Sequence, residues 1–397
     1  MLLVFCVILF GGALATFVMP DKESSVLENR DLAQNPKFTI KKFLKGSYQK
    51  KYETYLSDQF PLRDQWVDCS CRIQAAVGKK DINGVYLGKG DYLLENLTDA
   101  DFDEEQTEDN IEYLASFLND MVQTYGKDHV SCAMIPTKTE ALPDRLPDFA
   151  EITNQKAVVD LLRTRLSEPD MLLDLRDTMH KHQKEYIYYR TDHHWTTLGA
   201  YYAYMTWAEQ TGQATPYPLE HYERETVFKD FYGTTYNKAH VRVPADSVEL
   251  FHTGAEEGIH VNMDDGETEA ETMYFKEEAL TGFNRYNVFF SKNTFRIDVT
   301  TQAGTGRKLL LIKDSFANCF VPFLSEDYDE VIMIDYRYGK KPMGEILSEC
   351  EGLTDVLVLF NTEKFMQNTK LKKMADTRRD DEKSETMEEF KLEDFLE

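Results

Sequence analysis

The sequence predicts an α/β protein with a parallel sheet flanked by helices. Two observations favour this fold class, and a third predicts an insertion within it. Short apolar runs typical of buried strands alternate with longer segments of helical spacing, from "HVSCAMI" to "TDVLVLF". Several of these runs end directly in polar residues, as expected where a buried strand reaches the edge of a sheet. Between about 215 and 300, short β-like runs and acidic, Gly-rich turns replace the alternation and predict a β-rich insertion.

The first residues, "MLLVFCVILFGGALATFVM", are apolar without a break until Pro20. Eighteen or more such residues can span a bilayer, which favours an uncleaved membrane anchor. A cleaved signal is the alternative, because Ala13 and Ala15 form a small-x-small pattern. A buried core helix is less favoured, since such a helix usually carries a polar face. Both leading interpretations place the rest of the chain outside the cytoplasm.

Residues 20–60 are polar at first and then carry helical spacing in "KFLKGSYQKKYETYLSDQF", which predicts a stalk that ends in a helix. "NGVYLGKGDYLLE" (83–95) predicts a hairpin with its turn at Gly-Lys-Gly. The next elements are a helix over 110–126, a strand in "HVSCAMIPTK" that Pro136 ends, a helix in "NQKAVVDLLRTRL" and a short strand in "MLLDL".

The second half begins with a predicted strand, "EYIYY" (185–189), and a helix, "TLGAYYAYMTWAEQ" (197–210). In the β-rich stretch, the strands are predicted in "VELFHTG", "ETMYFK", "NVFFS" and "FRIDVTT". The α/β order then returns as strand 308–314, a helix from Phe316, strand 330–335, a helix in "MGEILSEC" and strand 354–360. The tail, "ADTRRDDEKSETMEEFKLEDFLE", is highly charged and predicts a solvated segment.

The composition excludes some partners. The 397 residues carry a formal net charge of −25, and such an acidic surface repels phosphate backbones, so we expect no nucleic-acid partner. The same sign argues against a broad basic groove, although it leaves room for a local basic pocket. The 6 cysteines include no Cys-x-x-Cys pair and do not form the pattern of a disulfide scaffold, so a structural zinc site is not expected.

The loop Asp192–Thr196 carries the densest group of reactive side chains, "DHHWT", between a predicted strand and a predicted helix. In open α/β sheets, ligands usually bind at this kind of junction. Asp192 and His194 are two residues apart, which lets the carboxylate reach the near nitrogen of the imidazole. His193 points the other way if the loop is extended. We therefore interpret His194 as a general base and Asp192 as the group that orients it.

A base of this kind needs a nucleophile, and "LLLIKDSFANCFVPFL" offers Ser315. This serine follows an apolar strand and opens a predicted helix, so it would combine a hydroxyl with a backbone amide at a helix N-terminus. An ordinary helix N-cap is the alternative, for which Asp-Ser is well suited.

Two further strand ends could supply donors to an oxyanion. Asn361 ends the run "VLVLFN", and "IDYRYG" places Tyr336 and Arg337 at the end of another strand. Turn formation is the alternative for Asn361, and a surface ion pair is the alternative for Arg337.

With these motifs identified, the sequence resembles the DHHW proteins of bacterial cell surfaces, which are related to the alginate O-acetyltransferases and more distantly to SGNH esterases. The stretches that carry the resemblance cover most of residues 24–365: "VLENRDLAQNPKFT", "DQFPLRDQW", "GVYLGKGDYLLE", "IPTK", "TDHHWTTLGAYYAY", "FYGTTYNKA" and "LLLIKDSFANCFVPFL".

The resemblance implies an SGNH hydrolase-like domain over 61–365, with the motifs in circularly permuted order and a charged tail over 366–397. It assigns Asp192, His194 and Ser315 to the triad. Lys313 stands where the family's Gly-Asp-Ser block has its glycine, and Asn361 lacks the usual Gly-x-Asn-Asp context. Trp195 is expected to pack beneath the loop, with substrate contact as the alternative. His193 is assigned to oxyanion or substrate binding.

The function implied is a serine O-acyltransferase, transferring acetyl groups, or an esterase. It would act on a cell-surface polysaccharide outside the cytoplasm and use no metal and no cofactor. Its partners would be the polysaccharide acceptor, an acyl donor delivered by a membrane protein, and the membrane itself. A non-catalytic glycan-binding or export-assembly protein is the main alternative. A metal-dependent phosphoesterase is a second, because Asp-His-His is also a metal-ligand string.

Overall fold

The computed structural model describes residues 10–378 apart from 13, 17, 26–29, 264, 265, 267 and 283. Half of the predicted membrane segment (1–9) and most of the charged tail (379–397) lie outside this part of the chain. Within the described residues, we find no helix with the length and apolar character needed to cross a membrane. The division of the chain into stalk, domain and tail stays a prediction.

A mixed sheet of eight strands forms the centre of the fold, in the order β11-β10-β12-β14-β13-β15-β6-β7. Its five strands from β14 to β7 are parallel, whereas β12, β10 and β11 extend one edge in antiparallel pairing. The strands, in chain order, are β1 Ser24–Ser25, β2 Arg30–Asp31, β3 Asp81–Ile82, β4 Val85–Leu87, β5 Leu93–Glu95, β6 Val130–Ile135, β7 Leu172–Asp174, β8 Glu223–Phe231, β9 Asp246–His252, β10 His260–Met263, β11 Thr268–Ala270, β12 Arg296–Thr300, β13 Lys308–Lys313, β14 Glu330–Ile334 and β15 Asp355–Asn361.

Helices cover both faces of this sheet. The α-helices described are Ile40–Leu44, Ser47–Asp58, Arg63–Ala76, Glu104–Tyr125, Lys138–Ala141, Gln155–Arg165, Arg176–Lys181, Thr197–Thr211, Thr234–Ala239, Lys276–Thr281, Met343–Glu349 and Thr362–Met366. Because side chains alternate along a strand, Leu309 and Leu311 pack on one face with the helix Thr197–Thr211. Leu310 and Ile312 pack on the other face with the helix Glu104–Tyr125. This burial of both faces explains why the central strands read as continuous apolar runs.

The predicted α/β class is correct, but the sheet is mixed rather than wholly parallel. The antiparallel strands β10, β11 and β12 come from the stretch 215–300, in which we expected a β-rich insertion. Two other strands of that stretch, β8 and β9, form a separate antiparallel ribbon. The runs "ETMYFK" and "NVFFS" do not form strands, and between them there is one isolated bridge, Tyr274 to Phe289.

Two predictions near the site are wrong in detail. Residues 185–189 form no sheet strand: Tyr188 makes a single bridge to Trp195, and the run folds back on its own loop. Its aromatic residues are buried by packing, which β-propensity does not distinguish from pairing. The segment after Ser315 is two short 3₁₀ turns, Ser315–Cys319 and Val321–Leu324, instead of an α-helix. Pro322 lacks the N–H that a continuous helix would use.

Part of the predicted tail packs on the domain. Met366, Leu371 and Met374 are buried with the helix Glu104–Tyr125. From that helix, Asn110 Nδ2 donates to the carbonyl of Asn368 at 2.8 Å. Thr377 Oγ1 donates to Asp120 of the same helix at 2.6 Å, so the chain is held against the sheet domain up to about residue 377.

Strand register brings the site together. Lys313 lies opposite Leu359 of β15, so the residues that follow β13 project beyond the same edge as Asn361. In parallel strands, the carboxyl ends meet at one edge of the sheet. Ser315 therefore lies at the carboxyl edge, where the sequence had placed it.

Candidate active site

Ser315, His194 and Asp192 form one line of hydrogen bonds. Ser315 Oγ lies 2.8 Å from His194 Nε2, and His194 Nδ1 lies 2.6 Å from Asp192 Oδ1. The two parts are 121 residues apart in the chain. All three side chains are buried, and both Ser315 and His194 line an open cleft of about 510 Å³.

Asp314 fixes the backbone that presents Ser315. Its carboxylate accepts from the backbone N–H of Phe316 at 2.8 Å and from that of Asn361 at 2.7 Å. The turn after β13 is thereby tied to the end of β15. Ser315 is the first residue of a helical turn, so its own N–H has no partner within that turn. The turn can therefore offer a hydroxyl and an amide at the same point.

The loop that carries Asp192 and His194 closes on itself. Tyr189 N–H donates to the carbonyl of His194, and Thr196 N–H donates to that of Ile187. Outside the loop, the buried carboxylate of Asp246 accepts from the N–H groups of Arg190 and Thr191. These bonds fix the backbone on both sides of the reactive residues, so little reorganisation is needed to align them.

Asp192 is fully engaged as an acceptor. Its Oδ1 accepts from His194 N–H at 3.0 Å and from Nδ1, and its Oδ2 accepts from Thr234 N–H at 2.8 Å and from the Thr234 hydroxyl at 3.0 Å. Burial alone would raise the pKa of Asp192. The hydrogen bonds donated by His194 and Thr234 oppose burial and hold this pKa well below its usual range. The carboxylate is therefore ionised, and it requires His194 to carry its proton on Nδ1.

The extended loop predicted that His193 points away from the triad, but its ring lies beside that of His194, with ring centroids 3.9 Å apart, and it joins a second line of hydrogen bonds. Its Nδ1 lies 2.7 Å from Thr234 Oγ1. Because the Thr234 hydroxyl donates its proton to Asp192, it must accept from His193 Nδ1. Burial and the neighbouring His194 ring lower the pKa of His193 well below its usual value. His193 is thus neutral with its proton on Nδ1, and it lines the same cleft as Ser315.

Trp195 connects the two halves of the site. It is buried, and its indole N–H donates to the carbonyl of Phe316 at 2.9 Å. Phe316 packs edge-on against it, with ring centroids 5.6 Å apart. Trp195 does not line the cleft, which agrees with the packing role expected for it.

Tyr286 is a site residue that the sequence did not reveal. Its ring stacks on His194 at a centroid distance of 3.9 Å and an angle of 9°. Its hydroxyl donates to the carbonyl of Ser315 at 3.0 Å. No local pattern marks this position, because it lies in a short turn between elements. Tyr286 therefore fixes both the imidazole plane and the serine backbone.

The cleft around Ser315 is polar and locally basic. Its described lining includes Arg337, Lys364 and Lys370 and no carboxylate, although the whole chain is strongly acidic. Lys364 pairs with Glu363 at 2.9 Å, and Lys370 donates to the carbonyl of Arg337. The remaining lining residues are His193, His194, Asn284, Tyr286, Asn287, Asn293, Ser315, Tyr338, Gln367, Asn368 and Thr369.

The expected oxyanion role of Asn361 does not fit its surroundings. Its amide nitrogen faces the carbonyls of Ile135 and Pro136 at 3.3 and 3.4 Å, and its oxygen caps the helix Thr362–Met366 by accepting from Lys364 N–H. Both ends of the side chain are therefore used within the fold. The preference of asparagine for helix N-caps is the signal that could have shown this.

Tyr336 and Arg337, which follow the end of β14, differ in their access to the cleft. Tyr336 is buried against Phe295 and does not line the cleft, so a substrate contact is not supported. Arg337 lines the cleft and forms a paired contact with the buried Asp335. The ion pair considered as the alternative for Arg337 is therefore present, but with a fully buried partner instead of at the surface, and Arg337 lines the cleft as well.

Asn293 is a second polar residue that the sequence did not single out. Its Oδ1 accepts from Lys313 Nζ and from Asn318 Nδ2, each at 3.2 Å. Lys313, which replaces the expected glycine, is buried and thus serves to orient this amide. Since Lys313 and Asn318 hold the side-chain oxygen of Asn293, its amide nitrogen is the atom available to the cleft.

A metal site at the loop competes with these hydrogen bonds. Asp192, His193 and His194 offer ligand atoms within 4.8 Å of one another. However, both oxygens of Asp192 accept two donors each, and both ring nitrogens of His194 are engaged. A cation would have to displace these partners, so the geometry favours acid-base chemistry over metal ligation.

Comparison with known proteins agrees with the fold. Residues 28–117 and 108–334 match the model of a family described as "DHHW protein". A DHHW family protein from Eubacterium siraeum has a solved structure with a TM-score of 0.60 and 22% identity, covering 75% of this chain and 96% of its own. PatB1 from Bacillus cereus, solved with a sulfonyl adduct, gives a TM-score of 0.57 and 18% identity, covering 74% of this chain and 97% of its own.

A curated relative is described as "Probable alginate O-acetylase AlgJ" from Pseudomonas syringae pv. tomato. It is 27% identical over 181 residues, which are 43% of this chain and 43% of the relative. The chain thus matches less than half the length of that protein. The family match spans well over half of the present chain and includes the Asp192–Trp195 motif and Ser315. The chain belongs to the DHHW family.

Proposed function

We propose that this protein is a serine-dependent O-acyltransferase that transfers acetyl groups, or an esterase that removes them, at a polysaccharide. The observation that carries the proposal is the hydrogen-bonded line from Asp192 through His194 to Ser315 at the floor of an open cleft. A carboxylate, an imidazole and a hydroxyl in this order are what nucleophilic acyl transfer requires.

In the first half of the reaction, Ser315 Oγ attacks the carbonyl carbon of an acyl donor. Its proton passes to His194 Nε2, and the charge of Asp192 stabilises the imidazolium. The bond between the carbonyl carbon and the donor's leaving group then breaks, and His194 returns the proton to that group. An acetyl-serine ester remains. No cofactor is needed for these steps.

In the second half, a hydroxyl group attacks the ester carbonyl while His194 accepts its proton. A sugar hydroxyl gives transfer and water gives hydrolysis, with the same catalytic residues. Neutral His193 lies beside this path and can accept from an incoming hydroxyl through Nε2, because Nδ1 is committed to Thr234. The binding of the acceptor and the exclusion of water decide between the two outcomes.

Donors for the oxyanion of the tetrahedral intermediate come from the first N–H of the turn at Ser315 and from the side-chain amide of Asn293. Lys313 and Asn318 hold the oxygen of Asn293, which favours the presentation of its N–H₂ group. Asn293 takes over the role that the sequence had suggested for Asn361.

A polysaccharide acceptor is supported by two features. The relative from Pseudomonas syringae is named for O-acetylation of alginate, an acidic polysaccharide. The cleft presents Lys370, which pairs with no carboxylate among the described residues and whose charge suits the carboxylates of such a chain, whereas Arg337 and Lys364 beside it already pair with Asp335 and Glu363. The proposal includes an acyl donor and a membrane partner that delivers it.

The central strands support an SGNH-like arrangement in permuted order. Counted from β13 through β14 and β15 and then on to β6 and β7, the parallel strands lie in the order 2-1-3-4-5. This is one of the two common doubly wound orders. The serine then follows the first strand of that count. The apolar segment before Pro20 supports an extracytoplasmic location for the domain.

Reaction with an activated ester tests the proposal. We would mix the purified protein with 4-nitrophenyl acetate and measure nitrophenol release and the mass of the intact chain. We expect an acetyl adduct on Ser315 that Ser315→Ala abolishes. Ser325→Ala is the matched control, because Ser325 is also buried but donates to the carbonyl of Pro322, away from the cleft.

Addition of oligomers of acetyl-free mannuronate would then separate transfer from hydrolysis. Acetylated oligomers indicate a transferase, and acetate alone indicates an esterase. A folded protein that forms no adduct and releases no nitrophenol, with or without divalent cations, would contradict the triad assignment and favour a glycan-binding protein.

A further inference from the structure

Lys138 is a buried amine that the proposed reaction does not use. It lies three residues after the end of β6, at the same edge of the sheet as Ser315, and only 3% of it is exposed. A lysine is rarely buried to this degree unless its charge is paired or fully hydrogen-bonded. It does not line the cleft that contains Ser315.

The ammonium group of Lys138 is surrounded by carbonyls of the Asp192 loop. Its Nζ donates to the carbonyls of Tyr189 at 3.0 Å, Arg190 at 3.3 Å and Asp192 at 2.6 Å. An ammonium has three N–H donors, so all of them meet this loop. The shortest contact is to the backbone of the residue that carries the triad carboxylate.

We infer that Lys138 is a positioning residue for the proposed acyl transfer. Its ammonium holds the loop in the shape that directs the Asp192 carboxylate at His194, and its charge favours the ionised carboxylate. This inference rests on the proposed function, because it concerns the reactivity of Ser315.

The groups that face Lys138 come from four elements besides its own: the Asp192 loop, β9, β5 and the helix Thr362–Met366. They are Asp192 from the loop, Asp246 from β9 and Glu95 from β5, and His193 and Glu363 share a small cavity with it. Burial lowers the pKa of Lys138 to about 8, although the three carboxylates oppose this shift. Lys138 therefore loses its charge in mildly alkaline solution, and the reactivity of Ser315 should fall with it.

The sign of the stability change separates this loss from unfolding. The pKa of Lys138 in the fold lies below the value of about 10.4 in an unfolded chain. Between these two values the unfolded chain binds more protons than the folded one, so the titration of Lys138 makes the fold more stable as pH rises. A fall in reactivity above pH 8 with no fall in melting temperature is thus the expected signature.

The test measures the second-order rate constant for labelling by phenylmethylsulfonyl fluoride, followed by intact mass from pH 6 to pH 10. The wild type should lose rate as pH rises through about 8. Lys138→Met should label about 100-fold more slowly at pH 7, the usual cost of a displaced reactive group. It should also lack the alkaline fall. Lys138→Arg should recover part of the rate and move the fall to higher pH, because guanidinium keeps its charge. The exposed Lys156→Met is the control.

Several results would overturn the inference. One is a Lys138→Met variant that labels as fast as the wild type. Another is an alkaline fall that persists in this variant, which would assign the fall to a different group such as Lys313, whose pKa burial also lowers to about 8. If Lys138→Met does not fold, Lys138→Arg decides the question: in this variant the fall in labelling rate must occur at a higher pH than in the wild type.

Failure of the proposed function would look different. In that case the wild type itself would not be labelled. The low-field NMR resonance of the His194 Nδ1 proton would then carry the test, since it reports the contact with Asp192 without any reaction. Lys138→Met or Lys138→Arg should shift or broaden this resonance. An unchanged resonance in the folded variants would refute a positioning role.

Discussion

Asp192→Asn is the substitution whose effect the structure defines most closely. The carboxylate accepts four hydrogen bonds, two on each oxygen. An amide can offer only one acceptor atom, so its N–H₂ group must face the donors of either His194 or Thr234. If it faces His194, the imidazole must move its proton to Nε2 and can no longer accept the proton of Ser315. If it faces Thr234, the negative charge opposite the imidazolium is still lost.

The magnitude follows from that charge. Two unit charges about 3 Å apart attract by about 5.5 kcal/mol at an effective dielectric constant of about 20. At 1.36 kcal/mol for each factor of ten, this corresponds to a loss of about 10⁴-fold in rate. The same substitution in a serine protease triad lowers the rate by about the same factor.

The assay is labelling of Ser315 by phenylmethylsulfonyl fluoride together with thermal unfolding. Asp327→Asn is the matched control: Asp327 is also buried, and its Oδ1 accepts the N–H and hydroxyl of Thr215 at 3.0 and 2.8 Å. Only Asp192→Asn should lose reactivity, and Asp327→Asn should cost less stability, because burial raises the pKa of Asp327 whereas the pKa of Asp192 lies well below its usual range. A folded Asp192→Asn protein that labels within about 10-fold of the wild type would refute the assigned role.

Two further predictions concern stability. Trp195→Phe removes the indole donor to a buried carbonyl and should cost about 1–3 kcal/mol in the free energy of unfolding. Trp207→Phe is the control, because it loses a buried donor at the same distance of 2.9 Å and should cost a similar amount. Only Trp195→Phe should slow the labelling of Ser315. Equal labelling rates in the two variants would contradict the role of Trp195 in connecting the two halves of the site. Burial disfavours the charged form of His252, but hydrogen bonds to Glu256 and Glu225 raise its pKa above the usual value. The contribution of His252 to the stability of the fold is therefore complete below the unfolded-state pKa of about 6.5 and is lost as pH rises through the higher folded-state pKa. His252→Asn should flatten this part of the curve of melting temperature against pH. An unchanged curve would contradict the prediction.

The strands that end at the site could be predicted because a strand buried on both faces has apolar residues at successive positions. β13 and β15 read as unbroken apolar runs, so the position of Ser315 at a strand end followed directly. The pairing of Asp192 with His194 was also local, since two residues of one loop share a short backbone. These inferences needed no knowledge of distant contacts.

Other features depended on contacts between distant segments and could not be read locally. The aromatic run before Asp192 has strand propensity, yet it is buried by packing instead of sheet pairing. Lys138 is adjacent to a predicted strand, but its partners lie 51 to 54 residues away. Asn361 was assigned to the oxyanion because strand ends suggest donors, whereas its neighbours turned it into a helix cap.

The sequence by itself therefore determined the α/β class, the strand at whose end Ser315 stands and the local Asp192–His194 pair. These depend on periodicity and on neighbours within a few residues. Only the tertiary structure decided the contact between His194 and Ser315, the ring of Tyr286 over the imidazole and the amine of Lys138 inside the loop. The physical reason is that the register of parallel strands and the packing of helices across a sheet bring together residues whose separation along the chain carries no signal of their contact.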